Sequence, residues 1–238
     1  MFASELAYHV VRPEAVGQHL LYLDASHGAE SIIGQTASTL LEKLVELEPD
    51  LEVRHLRLWD ETLRQRMDYR LEHVQAKMAM LKGTASSEQV ASFVSLEEMA
   101  LELATARGLV IAAPMWNYGV PYVVKQYFDC VLHPGLSFKE MEQGPVGLLG
   151  NGRPLLILTS AGGAAAKDHL TPWLLDVASM VGFDNAKVVS ARLVASRDRA
   201  ELLSELKVEV CKVAGHLLRR SVLPGLGDME ADCSHEEL

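Results

Sequence analysis

Residues 108–132 read GLVIAAPMWNYGVPYVVKQYFDCVL. Gly108 to Ala113 is a continuous apolar run, the pattern of a strand buried on both faces of its sheet. Pro114-Met-Trp-Asn-Tyr-Gly119 breaks the run as a loop, and Tyr122 to Leu132 returns to helical spacing. A strand buried on both faces that feeds a helix belongs to a parallel sheet.

The same unit recurs on both sides. Toward the N-terminus, His19 to Ser26 is a buried parallel strand, followed by a helix carrying Ala37, Leu40, Leu41, Leu44, Val45 and Leu47. Pro49-Asp50 punctuates that helix. Leu51 to Leu58 alternates apolar and polar residues, as an edge strand does. Residues 59–86 are the least regular stretch and include a helix with Val74, Met78 and Leu81. Ser86 with Gln89, and Ser95 with Glu98, have capping-box spacing, so 87–106 is one helix or two short ones.

Toward the C-terminus, His133 to Gly152 is a long connection rich in glycine and proline. Arg153 to Ser160 is a buried strand, Ala161 to Gly163 a loop, Leu170 to Val181 a helix and Asn185 to Leu193 the last strand. Residues 199–219 form the last helix. The alternation predicts an α/β fold, a doubly wound five-stranded parallel sheet of order 2-1-3-4-5 with helices on both faces. The predicted domain spans 19–220, with an extension over 1–18 and an acidic tail over 221–238.

Composition bounds the function. Apolar residues make up 49% of the 238 and charged residues 23%, as in ordinary globular chains. The net charge of −10 argues against nucleic acid or an anionic membrane as partner. No apolar run approaches the roughly 18 residues of a membrane helix, and the N-terminus has no secretory pattern; a cytoplasmic location is expected. Cys130, Cys211 and Cys233 are far apart and odd in number, which fits neither a zinc site nor a disulfide framework. No metal site is expected. Cys130 and Cys211 read as buried apolar residues on helices, and Cys233 as a bystander in the tail.

Ligands of doubly wound sheets bind beyond the carboxyl ends of the strands, at the switch in strand order. Here that means the loops after strands one, three and four. GxGxxG, GxxxxGK[ST] and GxSxG are all absent there. After strand one, Ser26, Ser31, Gly34, Gln35 and Thr36 are candidates for an anion at a helix start, or Ser31 and Thr36 simply cap the helix. After strand three, Pro114, Met115, Trp116, Asn117 and Tyr118 offer apolar surface and one amide to a flat ring, or plug the sheet end. After strand four, Ser160, Gly162 and Gly163 allow close backbone approach.

Together, LLYLDAS (20–26), VIAAPMWNYGVPYVVKQYFD (110–129), HPGLSF (133–138), GPVGLLGNGRP (144–154) and TSAGG (159–163) resemble the FMN-dependent NADH-azoreductase and quinone reductase family, of flavodoxin-like fold. The resemblance spans residues 19–218. It implies a homodimer with FMN at the subunit interface. Hydride passes from NADH or NADPH to FMN and then to a planar aromatic acceptor such as a quinone, azo or nitro compound, in alternating half-reactions. The flavin carries the redox chemistry, so no catalytic side chain is implied. Ser26 would meet the phosphate, residues 114–118 would line the ring, and Ser160, Gly162 and Gly163 would touch its far edge.

Two features depart from the family. Its usual Ser-x-Ser pair after the first serine falls on Ile32 and Gly34; a slide of two brings Gly34 and Thr36. Its arginine in the loop after strand four is Ala161. These departures leave open a specialised biosynthetic flavoenzyme, or a non-catalytic homologue with impaired FMN binding.

His27 and His133 are placed to donate a proton to a reduced substrate, or are plain loop residues. Lys125 and Asp129 have the spacing of a structural ion pair. Trp59 and Tyr69 are packing residues, or part of a partner's wall.

Overall fold

The computed structural model describes residues 17, 19–28, 30–134, 137–149, 153–163, 167–183 and 185–218. Apart from Gly17, the predicted N-terminal extension and acidic tail, with Cys233, lie outside the described residues. In chain order the elements are β1 (Leu20–Asp24), α1 (Ile32–Leu47), β2 (Val53–Arg57), α2 (Glu61–Arg66), α3 (Leu71–Leu81), α4 (Ser87–Thr105), β3 (Gly108–Pro114) and α5 (Tyr122–Val131). There follow β4 (Phe138–Met141), β5 (Gly144–Gly147), β6 (Leu155–Ser160), α6 (Thr171–Met180), β7 (Ala186–Ala191) and α7 (Arg199–Leu217).

Five strands form one parallel sheet of order β2-β1-β3-β6-β7. Counting only those strands, this is the predicted 2-1-3-4-5. Side chains alternate across a strand, and the core divides accordingly. Leu21, Leu23, Leu109 and Ile111 pack with α4, α5 and α6 on one face. Leu20, Tyr22, Val110 and Ala112 pack with α1 and α7 on the other. All seven residues of β3 are buried, as its unbroken apolar run requires. The edge strand β2 leaves His55 and Arg57 exposed.

Three local expectations are corrected, and a fourth that was left open is resolved. The stretch 133–152 is not a plain connection, because β4 and β5 pair antiparallel within it. Gly144 at φ +115° turns that hairpin, a conformation glycine adopts freely. Residues 87–105 are one helix: Ser86 and Gln89 form the capping box at its start, while Ser95 and Glu98 lie mid-helix. On α3, Val74 and Met78 are exposed and Ala76 is buried, because the helix turns its small side to the core. Cys211 is exposed; it follows Val210 on the buried stripe Leu206, Val210 and Ala214, and one residue turns it about 100° outward. Cys130 is buried as predicted, and burial pushes its thiol up to about 12.

Candidate active site

The loops after β1, β3 and β6 meet at the carboxyl edge of the sheet. Ser31 closes the first by capping α1: its hydroxyl accepts from the Gly34 N–H at 2.8 Å, and its own N–H donates to the Gly28 carbonyl at 3.0 Å. The first-turn amides of Ile32 and Ile33 have no acceptor within the helix. Gly34 lies under this loop, where an added Cβ would stand 2.8 Å from the Ser31 hydroxyl and 3.3 Å from that of Ser26. Ser26, Ser31 and Gly34 are thus together, and Gln35 is half-buried one residue on. Thr36 is not with them: its hydroxyl donates to the Ile32 carbonyl at 2.8 Å and is buried. Ile32 is also buried, in the core beneath α1.

Asp24 stands behind the first loop. One carboxylate oxygen accepts the Ser26 N–H at 2.9 Å, and the other lies 3.0 Å from His55 Nε2. Burial pushes this carboxyl up, but the hydrogen bonds from His55 and Ser26 outweigh it, so Asp24 sits below the usual carboxylate range. His55 stacks on Tyr22 at 4.4 Å between centroids.

The second loop is a two-residue hairpin. Trp116 and Gly119 exchange backbone hydrogen bonds of 3.1 and 2.9 Å, and Asn117 and Tyr118 between them have φ of 51° and 68°. Positive φ at both central positions is the type I′ turn. The turn is clamped from outside, since the His169 N–H donates to the Tyr118 carbonyl and the Met115 N–H to the Ser160 carbonyl. Trp116, Asn117 and Tyr118 are exposed, whereas Pro114 is buried and Met115 packs on the core.

Trp59, from the turn after β2, completes an aromatic wall. Its indole N–H donates to the Ala25 carbonyl at 3.0 Å, and its ring lies 5.4 Å from Trp116 and 5.5 Å from Tyr122. It reaches the second loop of its own chain.

In the third loop Ser160 is half-buried and Ala161 buried. A Cβ on Gly162 or Gly163 would meet no atom within 4 Å. Ala161 brings no charge, but Arg192, at the end of β7, lines the same small crevice with Met115, Ser160 and Asp168. Its guanidinium is 3.8 Å from the Asp168 carboxylate.

The other candidates separate. His27 is exposed on the wall of a cleft beside Ser26. His133 is buried against Phe93, and burial with the nearby Lys77 charge pushes it down to about 4. That environment suits a packed histidine better than a proton donor to substrate. Lys125 and Asp129 form the expected ion pair, exposed on α5. Tyr69 packs on the core and borders a second depression with Trp116, Asn117 and Lys125. Among the described residues no His, Cys, Asp or Glu cluster suits a metal.

Asp24, His55, Arg57 and Arg192 escaped the sequence reading. For the first three the available sign was register: parallel pairing sets Tyr22 beside His55 and Asp24 beside Arg57.

Residues 18–213 match the family described as Flavodoxin-like fold. An FMN-dependent NADH:quinone oxidoreductase 1 of Bradyrhizobium diazoefficiens is 32% identical over 180 residues, 71% of this chain and 84% of that protein. An FMN-dependent NADH:quinone oxidoreductase of Laribacter hongkongensis is 31% identical over 180 residues, 72% and 87% of the two chains. The crystal structure of an FMN-dependent NADH-azoreductase from Bacillus anthracis in complex with FMN superimposes with a TM-score of 0.75 at 22% identity, covering 85% of this chain and all of that one; at that identity the likeness is one of fold. With the sheet topology, the family match over residues 18–213 and these relatives in agreement, the chain belongs to the flavodoxin-like family, among its FMN-dependent NADH:quinone oxidoreductases.

Proposed function

We propose that this chain holds FMN across the three loops and is an NADH-dependent reductase of planar aromatic acceptors, quinones and azo compounds foremost. The observation that carries the reading is the convergence of those loops at the switch in strand order, in a chain that aligns with quinone oxidoreductases over most of its length. When bound, FMN would supply the redox chemistry, two-electron hydride transfer between NADH and the acceptor, and the loops would hold and orient it.

The residues present fit the group. The Ser26 hydroxyl and the first amides of α1 suit the phosphate. The Asn117 side chain suits the pyrimidine edge of the ring, and Trp116 supplies apolar wall. Gly162 and Gly163 leave room for backbone approach. The Ser31 hydroxyl serves the helix cap and Thr36 the core, so the phosphate rests on fewer hydroxyls than the family's usual pair would give. Asp24 holds the Ser26 amide and so fixes the loop from behind.

A homodimer in the cytoplasm is part of the proposal. It is supported by the exposure of Trp116, Tyr118 and Tyr122 at the mouth of the site. No helix among the described residues is long and apolar enough to cross a membrane.

FMN titration of the apo-protein, followed by NADH oxidation with a simple quinone, tests the reading. Tight binding with turnover is expected. Ser26→Ala and Asn117→Ala are each expected to weaken FMN affinity about tenfold, the equivalent of one lost hydrogen bond of ~1.4 kcal/mol. Binding without turnover would point to a dedicated substrate, and no binding would overturn the assignment.

A further inference from the structure

The cleft beside the first loop is larger than a flavin phosphate needs. It has a volume of about 820 Å³ and runs from Trp116 and Trp59 past Ser26 and Gly34 into a groove between α1 and β2. The groove has an ordered lining. Strands of a parallel sheet rise toward the carboxyl edge while α1 descends from it, so depth can be read from residue number. Level with Asp24 at the top is Arg57; one pair deeper, level with Tyr22, is His55. Down the facing side of α1 come Gly34, Ser38 and Leu41, at helical spacing.

Each level has its own chemistry. Arg57 is exposed, and among the described residues it forms no ion pair or side-chain hydrogen bond. Ser38 is exposed below it; its hydroxyl donates to the Gly34 carbonyl at 3.1 Å and is open as an acceptor. His55 has one ring face on Tyr22 and its side chain 30% exposed, and Leu41 lines the same groove from α1. Two carboxylates also line the top of the cleft, Asp24, held by His55 and the Ser26 amide, and Asp60, which accepts the Thr62 and Leu63 amides. With those engaged, a cation near the phosphate loop, then a hydroxyl, then a flat ring and an apolar residue is the order of groups that meets phosphate, ribose and base in turn.

We infer that the α1–β2 groove is a subsite for an adenosine 5′-phosphate group, the second half of a dinucleotide whose other half lies at the flavin loops. Two dinucleotides carry that chemistry, the NADH co-substrate and a flavin adenine dinucleotide in place of FMN. The phosphate sits at Arg57 and the adenine between His55 and Leu41. The placement rests on the flavin reading above.

The test is calorimetric titration of 5′-AMP into the FMN-loaded full-length protein, for wild type, Arg57→Gln and Ser38→Phe. The first variant removes the cation, and the second fills the groove from an exposed helix position. Saturable AMP binding is expected, weakened at least fivefold in both variants with FMN content unchanged. A raised KM for NADH at constant kcat in Arg57→Gln then assigns the groove to the co-substrate. An apo-protein preference for FAD over FMN that Arg57→Gln abolishes assigns it to the cofactor. Absence of AMP binding to the FMN-loaded wild type, or equal affinity in all three proteins, overturns the subsite and leaves the flavin reading intact. Failure to load FMN would overturn the flavin reading itself, and AMP binding to that protein would still support the groove.

Discussion

Asn117 and Tyr118 keep a left-handed backbone at the tip of the loop on which the ring is placed, with φ of 51° and 68°. Asparagine tolerates that region; a tyrosine there costs about 1–2 kcal/mol. The strain is held by the two Trp116–Gly119 hydrogen bonds and the His169 clamp. A β-branched residue should suffer more, so Tyr118→Val is expected to be at least ~1 kcal/mol less stable than Tyr118→Gly in urea unfolding of the apo-protein. Equal midpoints would show that the turn relaxes. His133 makes a second prediction at this scale. Its folded value is about 4, pushed down first by burial and then by Lys77; unfolded, it returns to about 6.5. The unfolded chain therefore binds the proton first, and the stability present above pH 6.5 is lost as pH falls toward 4. The loss is on the order of 3 kcal/mol at its end. His133→Gln should flatten the decline of Tm between pH 6.5 and 4, and an unchanged decline would mean that other groups dominate acid unfolding.

At the scale of elements, the β4–β5 hairpin is fastened where a side chain has no room. A Cβ at Gly147 would lie 2.1 Å from the Gly182 nitrogen and 2.2 Å from the Val181 carbonyl carbon, at the end of α6. Backbone cannot yield as a flexible side chain does, so Gly147→Ala should cost about 2–3 kcal/mol and raise amide exchange across Phe138–Gly147. A local rise without loss of Tm would place the hairpin outside the cooperative core. This hairpin was hidden in the sequence because its strands are four residues each, one half polar and the other Gly-Pro-Val-Gly, too short for a period of two to stand out. The central strands were legible for the opposite reason, and the edge strand β2 by its alternation. Strands such as β3 and β6 are buried on both faces and therefore apolar without interruption. The exposed Val74 and Met78 show the limit of periodicity: it locates α3 but does not say which side meets the core when that side is a single alanine. Arg153 is a similar case. It reads as the start of a strand, yet its buried guanidinium donates to the Ala104 and Ala106 carbonyls and docks the end of α4.

For the molecule as a whole, the three candidate loops were legible because topology alone puts them on one edge. The cleft beside them was not, since it joins residues from β1, α1, β2 and the turn at Trp59 that only sheet register and helix placement bring together. The same geometry makes the loops interdependent. The Met115 amide is bonded to Ser160, and Ala161 and Gly162 are bonded to Ala191, Val194 and Ala195. The first loop is joined to this frame through the Ala25 N–H on the Ala112 carbonyl and the Trp59 ring against Trp116. A ligand that spans all three stabilises them together by binding only the folded state, by about 2.7 kcal/mol when FMN is at a hundredfold its Kd. Amide exchange with and without FMN should thus slow jointly across 26–36, 114–119 and 160–163, in parallel with a rise in Tm that grows with FMN concentration. Protection confined to 26–36 would mean that the phosphate is held while the ring lies elsewhere, and the placement on Asn117 and Gly162 would have to be abandoned.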